Sequence, residues 1–321
     1  MKYWLGVTDT IWFNFLKARE PEDVNFWQPS GRQTEFAAIE KGAPLLFKLK
    51  APYNAIGGLG FYSTQAFLPV SVAWDAFGFH NGCASNSELK NAIDSYRKKN
   101  KTMEAANPII GCLILTNLVF FDEADWIPVP ENWKGPIVQG KTYSDEEPIG
   151  ARLWDAVEER LQRTAFASQT PMKDGQLMIQ GTLSYAPRYR ESVLSRVRVG
   201  QGTFRIMVTE AYQSRCAITG EHTLPVLEAA HIQPYSESGP HVISNGILLR
   251  SDLHKLFDTG YITITEDLRL EVSSRIREEY DNGKIYYAMA GQKPLVKPEP
   301  ANNQPNRDFI RWHNEKVYKA S

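Results

Sequence analysis

Three polar residues stand out among apolar strand and helix signals at 226–264: His231, Asn245 and His254. An imidazole with an unperturbed pKa of about 6.5 can take a proton from water near neutral pH, which makes His231 a candidate general base. A carboxylate and an imidazole on facing elements can hold a divalent ion against a phosphate, where it would neutralise charge on the phosphorane and the leaving oxygen. Glu228 is the nearest carboxylate, and His254 lies within the helix that follows. Taken singly, each of these residues is more often structural than catalytic. Their joint spacing carries the signal.

The elements that must position them read as strand, loop, strand, helix. Residues 226–232 form a short buried strand, apolar apart from Glu228 and His231, and ended by Pro234. Residues 233–242 are a loop rich in Pro, Ser and Gly. Asn245-Gly246 suits a turn before a second strand at 247–249. Ser251 can cap a helix at 252–258, which Gly260 stops, and a third strand starts at Tyr261. His231 then sits near a strand end facing a cleft, and His254 points back from the helix. Glu228 precedes His231 by three residues and projects to the opposite face, so a bend or bulge is expected if it joins His254.

The segments AAHI at 229–232, NGILL at 245–249 and DLHKLFDTG at 252–260 resemble the HNH endonuclease family of the ββα-metal fold. The resemblance implies His231 as general base, Asn245 as the residue holding the base loop, and His254 as metal ligand. It also implies one divalent ion, Mg2+ or Mn2+. Many relatives carry Asp or His immediately before the base as a second ligand, where this chain has Ala230. Glu228 is the substitute, with Asp258 and Asp252 as rivals.

The 321 residues suffice for two domains, and a charged fraction of 23% with a hydrophobic fraction of 42% is ordinary for a soluble globular protein. No run has the length of a membrane helix, and the start lacks a signal-peptide pattern. Three scattered cysteines argue for a reducing, cytoplasmic compartment and against a disulfide frame. A net charge of −1 does not favour broad phosphate binding. Local charge does: Arg188, Arg190, Arg196, Arg198 and Arg205 lead into the motif and are candidate DNA-backbone contacts.

The first half reads as short strands (2–7, 44–49, a glycine-studded 56–62, and a long apolar run at 108–119), with a helix expected at 32–41 and another at 87–99. This suggests a small β-barrel. Six of the eight tryptophans fall here. Most suit a core, but Trp27 stands among Asn25, Gln28, Pro29 and Ser30 in an expected loop. A flat ring beside amides and hydroxyls suits an extruded base, stacked on its face and hydrogen-bonded at its edge. The stretches KYWLGVTD at 2–9, NFWQPSG at 25–31 and PLLFKLKAPYNAIGGLGFY at 44–62 resemble the EVE branch of the PUA superfamily, which implies a modified-base reader using Trp27 and Asn25, with Trp12 and Tyr62 as further walls. A helix at 149–166 reads as a linker strut or dimer surface.

The expected fold class is therefore α+β: a PUA/EVE-like small β-barrel with flanking helices at 1–145, a helical linker at 146–190, and a ββα-metal nuclease domain at 191–321. The expected function is a modification-dependent, type IV-like restriction endonuclease acting on double-stranded DNA that carries 5-methyl- or 5-hydroxymethylcytosine, as a homodimer in microbial defence. Two alternatives stay open: a nuclease with no modification requirement, and a nucleic-acid-binding protein with an inactive nuclease half.

Overall fold

The computed structural model describes residues 1–321 except 31–32, 100–104, 135–136, 168–199 and 321. The chain divides into two compact units, Met1–Arg198 and Val199–Ser321. The architecture is α+β, and no described helix is long and apolar enough to cross a membrane.

The first unit runs β1 (Lys2–Thr8), α1 (Thr10–Lys17), β2 (Asp23–Gln28), β3 (Pro44–Leu49), β4 (Ala55–Pro69), α2 (Val70–Phe77), α3 (Asn86–Lys99), β5 (Ile109–Phe120), β6 (Ile127–Pro128), β7 (Gly140–Ser144) and α4 (Pro148–Ala167). The strands form one sheet in the order β2-β5-β4-β3-β1-β7, with β6 paired to the start of β4. Only β1 and β3 run parallel. The order ends at β2 and β7, and among the described residues no pairing joins these two edges.

The expected closed barrel is thus corrected to an open sheet, and the packing shows why. A barrel buries its inner face, whereas here every residue of β3 is buried. Leu45, Phe47 and Leu49 pack with Phe13 and Leu16 of α1. Leu46 turns the other way, to Tyr3, Leu5 and the α4 residues Leu153, Trp154 and Val157. Period-2 alternation thus feeds two cores, one per face. The helix read as a linker or dimer surface supplies the second core with its apolar stripe. The glycines of β4 answer a close approach: a Cβ on Gly58 would lie 2.2 Å from the Val119 carbonyl oxygen of β5. Register shifts between Leu59 and Phe61 and between Tyr62 and Thr64 mark irregularities along this long strand.

Two local expectations fail here. Residues 33–37 form no helix. The apolar pattern of the expected helix instead supplies Ile39 to the core and Phe36, which meets Trp4 and Tyr62 edge-on while Gln65 accepts from its backbone N–H. Residues 25–28, read as loop from their turn-forming neighbours, belong to β2. The apolar strand β5 offers a complete antiparallel ladder there, pairing Trp27 with Cys112, and this outweighs local propensity.

The second unit contains α5 (Gln201–Ala211), β8 (Leu227–His231), β9 (Gly246–Arg250), α6 (Ser251–Asp258), β10 (Ile262–Ile264), β11 (Leu270–Val272), α7 (Arg275–Tyr280), α8 (Lys284–Tyr287) and α9 (Arg307–Lys316). β8 and β9 pair antiparallel, from Leu227 opposite Arg250 to His231 opposite Gly246. Phe204 and Val208 of α5, Leu253 and Phe257 of α6, and Ile310 of α9 close one core around that pair. Ser251 is the first residue of α6 rather than its cap; Arg250 occupies the capping position and makes no side-chain cap bond.

Candidate functional site

β8 and α6 bring Glu228, His254 and Asp258 together. His254 Nδ1 donates to Glu228 Oε2 at 2.5 Å, and its Nε2 lies 3.2 Å from Asp258 Oδ2. The bend expected for this contact is absent: the β8–β9 register is unbroken, and Glu228 reaches α6 from its own face of the strand. His231, on the alternate face, stacks on Phe204 of α5, with ring centroids 3.8 Å apart and planes 11° apart. That stacking depends on Gly246, where a Cβ would lie 2.4 Å from Val208 and 3.0 Å from Phe204. His231 Nε2 shares a hydrogen bond of 2.9 Å with His241 Nδ1, and His241 stacks in turn on the exposed Tyr235.

Asn245 is fully buried. Its Nδ2 donates to the carbonyls of Gln233 and Pro240, and its Oδ1 accepts from Gln233 N–H, each at 2.9 Å. Three bonds from one amide fix the loop that carries His241. Ala230 is also fully buried, within the core, so the position before His231 offers nothing to an ion. Asp252 is taken by Arg250 in a two-pronged ion pair of 2.6 and 2.8 Å. Arg205 is half-buried on α5. Arg188, Arg190, Arg196 and Arg198 lie outside the described residues.

The two histidines are pushed in opposite directions. Burial, then the nearby charge of His241, drives the His231 pKa down to about 4; Asp258 opposes this and His254 adds to it. Burial also disfavours charge on His254, but the hydrogen bonds and charges of Asp258 and Glu228 outweigh it and raise its pKa. Near neutral pH His231 is a neutral imidazole and His254 is biased toward imidazolium.

Two carboxylates and an imidazole are the donor types a hard divalent ion accepts. They stand as a chain rather than a cage, because Glu228 and Asp258 take different nitrogens of the same ring. Among the described residues no three His, Cys, Asp or Glu side chains are grouped so as to hold an ion. The fit is therefore to a two-residue site, His254 with Glu228 or His254 with Asp258, after one hydrogen bond of the chain is released.

The first unit holds a cavity of about 670 Å3 lined by Trp12, Trp27, Phe26, Asp9, Lys50 and Tyr96 among others. Trp27 meets Tyr96 edge-on at 5.9 Å, and its Nε1 donates to the Asn81 carbonyl. Trp12 packs edge-on against Phe26 and Phe47, and its buried Nε1 has no hydrogen-bond partner among the described residues. Asn25 and Tyr62, the other two expected wall residues, are not among the residues lining this cavity. Asn25 is fully buried and donates to Asn81 Oδ1 and Cys112 Sγ. Tyr62 belongs to the core beneath. In an edge strand with alternating faces, Asn25 and Trp27 share a face but not a depth.

Sequence reasoning missed His241 and the trio Asp9, Lys50 and Tyr96. His241 lies in a loop whose path only Asn245 explains. The trio comes from three separate elements, and no local signal links positions 9, 50 and 96.

Residues 216–265 match the family described as HNH endonuclease. No curated protein matches the chain. Among solved structures, ASCH from Zymomonas mobilis is similar at 13% identity with a TM-score of 0.33, the alignment covering 46% of this chain and 93% of that one. A modification dependent TagI restriction endonuclease is similar at 13% identity with a TM-score of 0.28, covering 93% of this chain and 76% of that one. Likenesses this slight carry no argument. The family match does: the chain carries an HNH endonuclease domain at 216–265, the span that contains Glu228, His231, Asn245, His254 and Asp258.

Proposed function

We propose that this chain is a modification-dependent DNA endonuclease. The observation that carries the nuclease half is the geometry inside one HNH match: His231 at the end of β8, stacked on Phe204, and His254 on α6, bonded to the Glu228 carboxylate. His231 takes the proton of the attacking water. A hydrogen bond between its Nε2 and His241 Nδ1 holds the ring in orientation. Asn245 holds the loop that presents His241. His254 with Glu228 or Asp258 would hold Mg2+ or Mn2+, and such an ion, when bound, supplies positive charge to the phosphorane and the leaving oxygen.

The first unit, in this reading, is an EVE-like reader of the PUA superfamily that takes a flipped 5-methyl- or 5-hydroxymethylcytosine. The cavity with Trp12 and Trp27 on its walls supports it, since a base stacks on such rings. Arg205, Arg188, Arg190, Arg196 and Arg198 would contact the DNA backbone. One such site cuts one strand, so a homodimer is the economical route to a double-strand break. The free cysteines Cys83, Cys112 and Cys216 accord with a reducing cytoplasm, where such an enzyme would act in defence against modified foreign DNA.

One observation favours a second reading, a binding protein with an inactive nuclease half: both nitrogens of His254 are occupied and Ala230 is buried. Digestion of matched duplexes carrying cytosine, 5-methylcytosine, 5-hydroxymethylcytosine or glucosylated cytosine, with Mg2+ and with Mn2+, separates the readings. Cutting confined to one or more modified duplexes is expected. Equal cutting of all four removes the modification requirement, and no cutting with either ion favours the binding protein.

A further inference from the structure

The cavity in the first unit has a charged head as well as aromatic walls. Asp9 precedes α1 and caps it, its Oδ1 accepting from Ile11 N–H at 3.0 Å. Its Oδ2 accepts from Lys50 Nζ at 3.0 Å and from Tyr96 OH at 3.0 Å. Lys50 Nζ also donates to Tyr96 OH at 2.5 Å. All three residues line the cavity beside Trp12 and Trp27. Lys50 and Asp9 keep 38% and 37% of their side-chain surface exposed, so their polar atoms remain within reach of a ligand.

A hydrogen-bond count shows what remains on offer. A carboxylate has about four acceptor positions, and Asp9 uses three. An ammonium has three protons, and Lys50 uses two. Among the described residues the head therefore keeps one acceptor position, on Asp9 Oδ1, and one donor, on Lys50 Nζ. Cytosine carries the complement on its edge, the N4 amine as donor and the neighbouring N3 as acceptor. A 4-keto pyrimidine stacked in the same pose would set its O4 against the carboxylate and its N3–H against the ammonium, leaving like groups facing each other.

We infer that Asp9, with Lys50 beside it, is the specificity-determining pair of the cavity. The Asp9 carboxylate accepts from the exocyclic amine of a cytosine stacked on the tryptophans, and the Lys50 ammonium donates to its N3. The inference rests on the modified-base reading above and adds what selects the amino-bearing pyrimidine from its keto counterpart.

Asp9→Asn is an informative variant because the cap constrains it. The amide oxygen must face Ile11 N–H to keep the cap. The amide nitrogen then replaces Oδ2 and can no longer accept from Lys50 Nζ and Tyr96 OH, so the bonds that set the head in place are lost. Asp9→Ser also keeps a cap and removes the carboxylate altogether. Binding of the full chain is measured in EDTA, so that nothing is cut. The duplexes carry 5-hydroxymethylcytosine or 5-hydroxymethyluracil opposite an abasic site, so that neither base must break a pair to flip. Thermal melts confirm that the variants fold.

The wild type should favour 5-hydroxymethylcytosine by about ten- to a hundredfold, and both variants should lose that ratio. If the wild type prefers modified over plain DNA and both variants keep the wild-type ratio, the inference is overturned while the modified-base reading stands. If the wild type binds modified and plain DNA alike, that reading fails and the inference falls with it.

Discussion

The two units assemble their polar sites on different scales. In the second unit, Glu228, His231, Asn245, His254 and Asp258 lie close in sequence, on one strand pair, the turn that joins it and the helix that follows it. In the first unit, the cavity draws on residues from Val7 to Gln139, brought together by α1, β2, α3 and the segments after β3 and before β7. They also handle charge differently. The second unit holds one histidine neutral and another biased toward charge within a single site. The first unit holds a carboxylate and an ammonium against each other; burial would neutralise both, but their mutual bonds and the Tyr96 hydroxyl keep Asp9 low and Lys50 high in pKa. A site with split protonation suits proton transfer, whereas a fixed ion pair with spare bonding positions suits recognition. The first should fail in rate and the second in selectivity.

The sharpest test of that division is His231→Ala. Cleavage should fall by about a hundred- to ten-thousand-fold, the usual contribution of a general base, while affinity for modified DNA stays at the wild-type level. Cleavage at wild-type rate with metal present would remove His231 from the mechanism.

Lowering the pH should strike the second unit through its buried histidines. Burial pushes His313 down to about 4, against bonding to the Phe257 carbonyl, and His231 to a similar value. A folded pKa below the unfolded value of about 6.5 means stability that is present above pH 6.5 and lost as pH falls toward 4. For His313, which is only 2% exposed, the drop corresponds to about 3 kcal/mol. His254 has the opposite sign: its raised pKa stabilises below pH 6.5, and that contribution fades as pH rises through the folded value. Urea unfolding of the full chain at pH 7 and pH 4.5 should show the loss, and His313→Gln should reduce it. A wild-type midpoint unchanged between the two pH values would contradict the assignment.

Trp27→Ala should break the other half of the comparison. Base–aromatic stacking is worth roughly 1–3 kcal/mol, so binding to modified DNA should weaken by about ten- to a hundredfold. Plain DNA, held by phosphate contacts, should bind as before. Equal weakening on both DNAs would make Trp27 a general contact or core residue, consistent with its bond to the Asn81 carbonyl.

The smallest expected effect concerns the ion. Glu228→Gln and Asp258→Asn should each be titrated with Mn2+ by calorimetry. The variant that lacks the true ligand should need about ten- to a hundredfold more metal, a range known for weakened metal shells, and the other should change less. Identical curves for both variants and the wild type would place the ion elsewhere.

The histidine motif was legible in sequence because its parts are local. AAHI ends a strand, NGILL begins its partner, and DLHKLFD follows at once as a helix, so chain connectivity alone sets their order and nearly their spacing. Sequence alternation also placed Glu228 and His231 on opposite faces correctly. It could not say that α6 lies on the Glu228 face, which makes a bulge unnecessary, or that Arg250 claims Asp252 and leaves Asp258 to His254. The first unit was legible only in its strands. Whether they close into a barrel depends on which faces are covered, and α4, which follows all seven strands in the chain, decides that by packing on the second face. The tertiary structure likewise moved Trp27 from a loop into an edge strand, buried Asn25 as a tie to Asn81, and gathered Asp9, Lys50 and Tyr96 into one charged head. Hydrogen bonds and burial between residues far apart in the chain have no local signature, because what fixes them is the packing of elements whose periodicities are each satisfied in more than one arrangement.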